Sequence, residues 1–129
     1  MGGTERPLRP PPGKYVLEGK TPVREPDLAK WRAWFETSDR VVRFDLVTCH
    51  GRPLLISTIF LGLNQNLGLD GEPILFESIV FDPKGLTVDG ERTATWDEAE
   101  AIHAILVRRY ADAQPAVVEI PAGTCHTAR

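Results

Sequence analysis

Two apolar runs constrain this chain more than any other feature: residues 54–61 (LLISTIFL) and 74–81 (ILFESIVF), separated by a stretch rich in Gly, Asn, Gln and Asp. Runs of this length, bounded by turn formers and dominated by β-branched and aromatic side chains, read as neighbouring strands of one sheet. The first is apolar on both faces apart from Ser57 and Thr58, which predicts an interior strand. The second carries Glu77 at its middle, on the same face as Leu75, Ile79 and Phe81 by the two-residue period. Ahead of them, residues 41–49 alternate. Val42, Phe44 and Leu46 point one way and Arg43 and Asp45 the other, the pattern of an edge strand or of a face open to water. His50-Gly51 then predicts a tight hairpin turn, with Gly supplying positive φ.

Helices flank these strands. Pro26-Asp27 opens one that runs to about Thr37, with Leu28, Trp31, Trp34 and Phe35 on one apolar face. Thr95-Trp96-Asp97-Glu98 is a capping box, the sharpest local signal in the chain, and predicts a helix from Trp96 to about Tyr110. Its buried stripe comprises Trp96, Ala99, His103, Leu106 and Tyr110, widened by Ile102. Residues 15–17 predict a short edge strand followed by a turn at 19–22, residues 82–94 a polar connection with turns at 82–85 and 89–90, and residues 116–120 a last short strand. The fold class is therefore α+β: an antiparallel sheet of three to five strands with two amphipathic helices packed on one face. The domain spans 15–120, preceded by a flexible Pro-rich arm at 1–14 and followed by a flexible tail at 121–129.

A chain of 129 residues, 42% hydrophobic and 26% charged, is one ordinary globular domain with enough core to fold without a metal or disulfide. A net charge of −3 argues against a general phosphate-backbone binder. No apolar run approaches the ~18 residues that cross a bilayer, and the N-terminus lacks an apolar signal core, so the expected compartment is the cytoplasm. Its two cysteines sit in Thr48-Cys49-His50 and Thr124-Cys125-His126. Adjacent strand residues point to opposite faces, so Cys49 and His50 do not converge on one metal. A reducing compartment argues against a disulfide.

Three sites emerge. The loop at 62–72 interleaves the turn formers Asn64 and Asn66 with Leu67 and Leu69, and with Gln65 it forms the expected binding surface for a protein partner. Glu77 and His103 form the weak catalytic alternative, an acid–base pair across the sheet–helix interface, although a hydrogen-bonded core histidine is the simpler reading. The basic N-terminal arm, with Arg40, Arg43 and Arg52, is the nucleic-acid alternative. No Gly-rich phosphate loop, nucleophile elbow or HExxH motif is present, and no cofactor or metal is expected. Oligomeric state stays open.

The ordered set Trp31-x-x-Trp34-Phe35-Glu36, Arg40-Val41-Val42, Ile56-Ser57-Thr58-Ile59-Phe60-Leu61-Gly62-Leu63, Pro73-x-Leu75-Phe76-Glu77-Ser78-x-Val80-Phe81 and Thr95-Trp96-x-Glu98-Ala99-Glu100-x-x-His103 resembles a family of small uncharacterised proteins encoded by bacteriophages and prophages. The resemblance covers roughly residues 15–107. It implies a phage accessory protein working inside a bacterial cell, and it implies no particular chemistry; the partner expected for the 62–72 loop is a host or phage protein. Relatives often read Leu-Asp-His-Asn where this chain reads Leu63-Asn64-Gln65-Asn66. Amides keep the hydrogen bonding and lose the charge and proton exchange, which favours binding over catalysis.

Overall fold

The computed structural model describes residues 13–66 and 71–112. Most of the N-terminal arm, Leu67 and Leu69, the strand expected at 116–120, Cys125 and the tail at 121–129 lie outside the described residues. A hairpin of β1 (Tyr15–Glu18) and β2 (Thr21–Arg24) comes first. Then follow α1 (Leu28–Thr37), β3 (Val41–Cys49), β4 (Arg52–Phe60), β5 (Phe76–Phe81), β6 (Thr87–Thr93) and α2 (Trp96–Tyr110). The larger sheet is a four-stranded antiparallel meander, ordered β3-β4-β5-β6. This is the expected α+β architecture, with the helices packed against the sheet.

Local chemistry places the joints. His50 and Gly51 both have positive φ, 54° and 80°, as a two-residue primed turn requires, and Cys49 pairs directly with Arg52 across it. Asp27 caps α1 by accepting from the Lys30 amide. The capping box of α2 is complete: the Thr95 hydroxyl accepts from the Glu98 amide, and the Glu98 carboxylate accepts from the Ala94 and Thr95 amides.

One face of the large sheet is covered. Val47, Cys49, Leu54, Ile56 and Val80 meet Leu106 and Tyr110 of α2 there. Beside them Phe60, Leu75, Phe76 and Ala99 form a second cluster against Trp34, Trp96 and the β1–β2 hairpin. Aromatic rings run through that cluster from α1 to α2: Trp34 on Phe60 (5.7 Å), Phe60 on Phe76 (5.3 Å), Phe76 on Trp96 (6.2 Å). Burying a side chain such as Phe60 or Phe76 contributes about 1.5–3 kcal/mol. The α2 stripe is as its spacing predicts, with Ala99, His103, Leu106 and Tyr110 all buried. On α1, by contrast, Leu28 is exposed and no residue is fully buried.

Three readings of the sequence change. Residues 87–93 form β6, and Asp89-Gly90 is not a turn: Gly90 pairs with Ile79 in mid-strand. Residues 21–24 form the second strand of the N-terminal hairpin, closed at Gly19-Lys20. Cys49 is buried and disulfide-bonded, contrary to the expectation from a reducing compartment.

Candidate functional site

β3 is the edge strand that its half-polar pattern predicts. The pattern leaves open which side faces the core, and the structure turns Phe44 and Leu46 outward and Asp45 inward. A bulge between Val41 and Arg43 resets the register, so Val42 packs inside against the Phe60 cluster. Beyond the bulge Asp45, Val47 and Cys49 face α2, and Phe44 and Leu46 stand on the uncovered face, 59% and 68% exposed.

That uncovered face is organised by register. Phe44, Ser57, Ile79 and Gly90 form one cross-strand row, and Leu46, Leu55, Phe81 and Thr87 the next. Val41, Ile59, Glu77 and Arg92 form a third, in which Glu77 and Arg92 make an ion pair at 3.1 Å. Val41 is 46% exposed. The surface is thus an apolar field, high along β3 and low where Ser57 and Gly90 carry little or no side chain, with its two charges neutralising one another. Contiguous exposed apolar patches are where contact surfaces are commonly found.

Glu77 and His103 are not brought together. Glu77 lies on the uncovered face, while His103 is wholly buried on the covered one. The acid that meets His103 is Asp45, with Oδ2 at 2.7 Å from Nε2. On the other side of the ring, Nδ1 lies 2.7 Å from the Thr58 hydroxyl, which lies 2.6 Å from the Ser78 hydroxyl. A neutral imidazole donating from Nε2 to the Asp45 carboxylate accepts at Nδ1 from Thr58, and Thr58 accepts from Ser78. The order hydroxyl, imidazole, carboxylate is that of a nucleophilic triad. Here Thr58 and His103 are both 0% exposed and lie between the sheet and α2, so no substrate reaches the hydroxyl. The arrangement is a satisfied polar core, as the simpler reading of His103 expected. Both ring nitrogens are engaged within it, leaving neither for Glu100. Among the described residues no group of three His, Cys, Asp or Glu side chains could hold a metal.

A second carboxylate links sheet to helix. Asp89 on β6 accepts from the Tyr110 hydroxyl at 2.7 Å and from Arg109 at 3.0 Å. Burial pushes its carboxyl up. The hydrogen bonds from Tyr110, the Gly90 amide and Arg109 more than offset this and hold it below the usual carboxylate value.

In the 62–72 loop, Asn64, Gln65 and Asn66 are turned to internal work. Asn64 Oδ1 accepts from the Asn66 and Ile74 amides, Asn66 Nδ2 donates to the Glu72 carbonyl, and the Gln65 amide donates to the Ile74 carbonyl. The Asn64 amide reaches the Gly13 carbonyl, and Lys14 bridges to Leu63, fastening the loop to the chain before β1. Of the basic residues, Arg40 donates to the Phe60 carbonyl at 2.9 Å and lies over the Phe35 ring at 3.9 Å. Arg43 and Arg52 are exposed. Among the described residues no helix is long and apolar enough to cross a membrane. No protein-family model, curated protein or solved structure matches the chain.

Proposed function

We propose that this protein is a small phage or prophage accessory protein that acts as a protein–protein interaction module, its working surface being the uncovered face of the four-stranded sheet. The observation that carries the reading is on β3, where Phe44 and Leu46 are more than half exposed while Asp45 between them takes an inward position. A strand that serves only its own core directs its large apolar side chains inward, because each one left in water forgoes about 1.5–3 kcal/mol. The phage setting rests on the sequence resemblance. The loop at 62–72 supports the sheet by joining β4 to β5, and its described polar residues are occupied within the chain.

The test is affinity capture from lysate of phage-infected cells, wild type beside a Phe44→Glu, Leu46→Glu variant whose fold is checked by circular dichroism. A stoichiometric partner held by the wild type and lost by the variant supports the reading. Equal capture by both forms, or capture of nothing, the untagged chain included, overturns it. The proposed place of action is the bacterial cytoplasm. Acid-quenching the cells and alkylating the denatured protein checks this, since a buried Cys49 that then labels freely is reduced in the cell, whereas one that labels only after added reductant points to an oxidising compartment and overturns the cytoplasmic placement.

A further inference from the structure

We infer that the partner on the uncovered sheet face is a second copy of this chain, packed face to face about a two-fold axis parallel to the strands and running between β4 and β5. This rests on the reading of that face as the working surface, and three observations support a copy of the same chain.

The first is relief. Phe44 and Leu46 form a ridge on β3 at one edge of the face, and the same two cross-strand rows end on β6 at Gly90 and Thr87. A two-fold axis along the strands exchanges the two edges and preserves each row. It therefore seats Phe44 over the partner subunit's Gly90 and Leu46 over the partner subunit's Thr87, ridge into hollow at both edges. An axis perpendicular to the strands in the same plane stacks ridge on ridge instead. An isologous contact needs such self-complementarity, and this face has it in one orientation.

The second is charge. Glu77 and Arg92 neutralise each other at 3.1 Å, so two copies of the face meet without net repulsion. The third is area. Strands about 4.8 Å apart and about 3.3 Å per residue give this face roughly 400 Å² in projection. Two such faces, with side-chain relief added, reach the roughly 1,000 Å² at which specific interfaces begin. Sheets packed in this way lie about 10 Å apart with their strands within about 30° of alignment, a geometry the uncovered face permits. An interface at the lower end of the specific range makes the contact a reversible, concentration-dependent dimer.

Sedimentation equilibrium on the purified full-length chain tests this. The wild type is expected to follow a monomer–dimer equilibrium. Phe44→Glu should be monomeric throughout, and Gly90→Leu should weaken the dimer at least tenfold. The Gly90 variant is a fair probe because a Cβ there meets only ordinary contacts, 3.5 Å from the Ser78 carbonyl, and circular dichroism checks that the variant monomer is folded. A short bismaleimide linker then reads the register. Mixed Phe44→Cys and Gly90→Cys chains should cross-link faster than either variant with itself. Preferential linking of Phe44→Cys to itself would place β3 over β3 and overturn the arrangement. A wild type that stays monomeric overturns the dimer alone, because capture of a different protein by Phe44 and Leu46 would leave the interaction-module reading standing.

Discussion

His103 Nε2 lies 2.7 Å from Asp45 Oδ2, a contact between the middle of α2 and a strand 58 residues earlier. Asp45 is the outer partner, its side chain 40% exposed, whereas the imidazole is 1% exposed. The two ends of this pair should respond differently to substitution. Asp45→Asn retains an acceptor for Nε2 and should cost less than about 1 kcal/mol, while Asp45→Ala leaves a buried donor unmet and should cost about 1–3 kcal/mol. His103→Ala removes the ring as well and should cost about 2–5 kcal/mol, like other large core truncations. Urea unfolding of the three variants orders them, and a His103→Ala no worse than Asp45→Asn would remove the core role.

The inner half of the relay should be strongly non-additive. Thr58→Val strands both His103 Nδ1 and Ser78 Oγ, for about 1–3 kcal/mol. Ser78→Ala removes only the far hydroxyl and should cost about 1 kcal/mol, since Thr58 can still donate to His103. Once Thr58 is Val, removing the stranded Ser78 hydroxyl should recover part of the loss, giving a double variant more stable than the sum of the singles. A double-mutant cycle by chemical unfolding reads the coupling directly.

Acid should loosen the link from β6 to α2. The Asp89 carboxyl is pushed up by burial and brought below 3.8 by its hydrogen bonds from Tyr110, Gly90 and Arg109. The folded state therefore keeps it ionised at pH values where the unfolded chain takes up a proton. Its contribution is complete above the unfolded value, near pH 4, and is lost as pH falls through the lower folded value. Asp82 moves the same way, held down chiefly by the Leu86 amide. Asp89→Asn should be less stable than wild type at pH 7 and should lose less on going from pH 5 to pH 2. Thermal melts across that range give the two slopes.

How much was legible in the sequence follows from what each signal depends on. The capping box at Thr95 and the stripe from Ala99 to Tyr110 depend on residues within one helix, and both came through intact. So did the interior position of β4, because a strand apolar on both faces has only one place in a sheet. The hidden β6 depends on pairing: Thr-Val-Asp-Gly-Glu-Arg-Thr has one apolar residue and a turn-like Asp-Gly, and it becomes a strand because β5 offers an edge to it. The face choice of β3 was hidden for a different reason. Period-two alternation separates two faces without saying which is inside, and the inward Asp45 is explained only by His103. A polar residue on the buried stripe of α2 and an acid within a strand are the available signal, and it fits Glu77 as well as Asp45, because only the pairing of strands tells which of the two faces α2.

The turn after β4 should tolerate no side chain at Gly62. Its φ is +78°, and a Cβ there would lie 3.0 Å from the Phe35 ring, with Trp31 at 3.6 Å. Trp31 Nε1 also donates to the Gly62 carbonyl, so the backbone cannot easily retreat. Gly62→Ala combines left-handed strain with a steric clash and should cost about 2 kcal/mol or more. Loss of near-ultraviolet dichroism from Trp31 at lower temperature than in the wild type would locate the effect at this contact.

The Asn64 position separates a structural loop from a chemical one. Its Oδ1 accepts from the Asn66 and Ile74 amides at 2.8 and 3.0 Å, clamping the two ends of the loop together. An aspartate offers the same oxygen in the same place, and a charged acceptor strengthens such bonds. Asn64→Asp should therefore be neutral or stabilising, within about 1 kcal/mol of wild type, whereas Asn64→Ala strands two amides and should cost about 1–3 kcal/mol. Hydrogen exchange at Asn66 and Ile74 makes the distinction local. Both amides should stay protected in Asn64→Asp and exchange faster in Asn64→Ala. Protection unchanged in Asn64→Ala would mean the loop is held by its other contacts, chiefly the Gln65 amide on the Ile74 carbonyl and the Asn64 amide on Gly13.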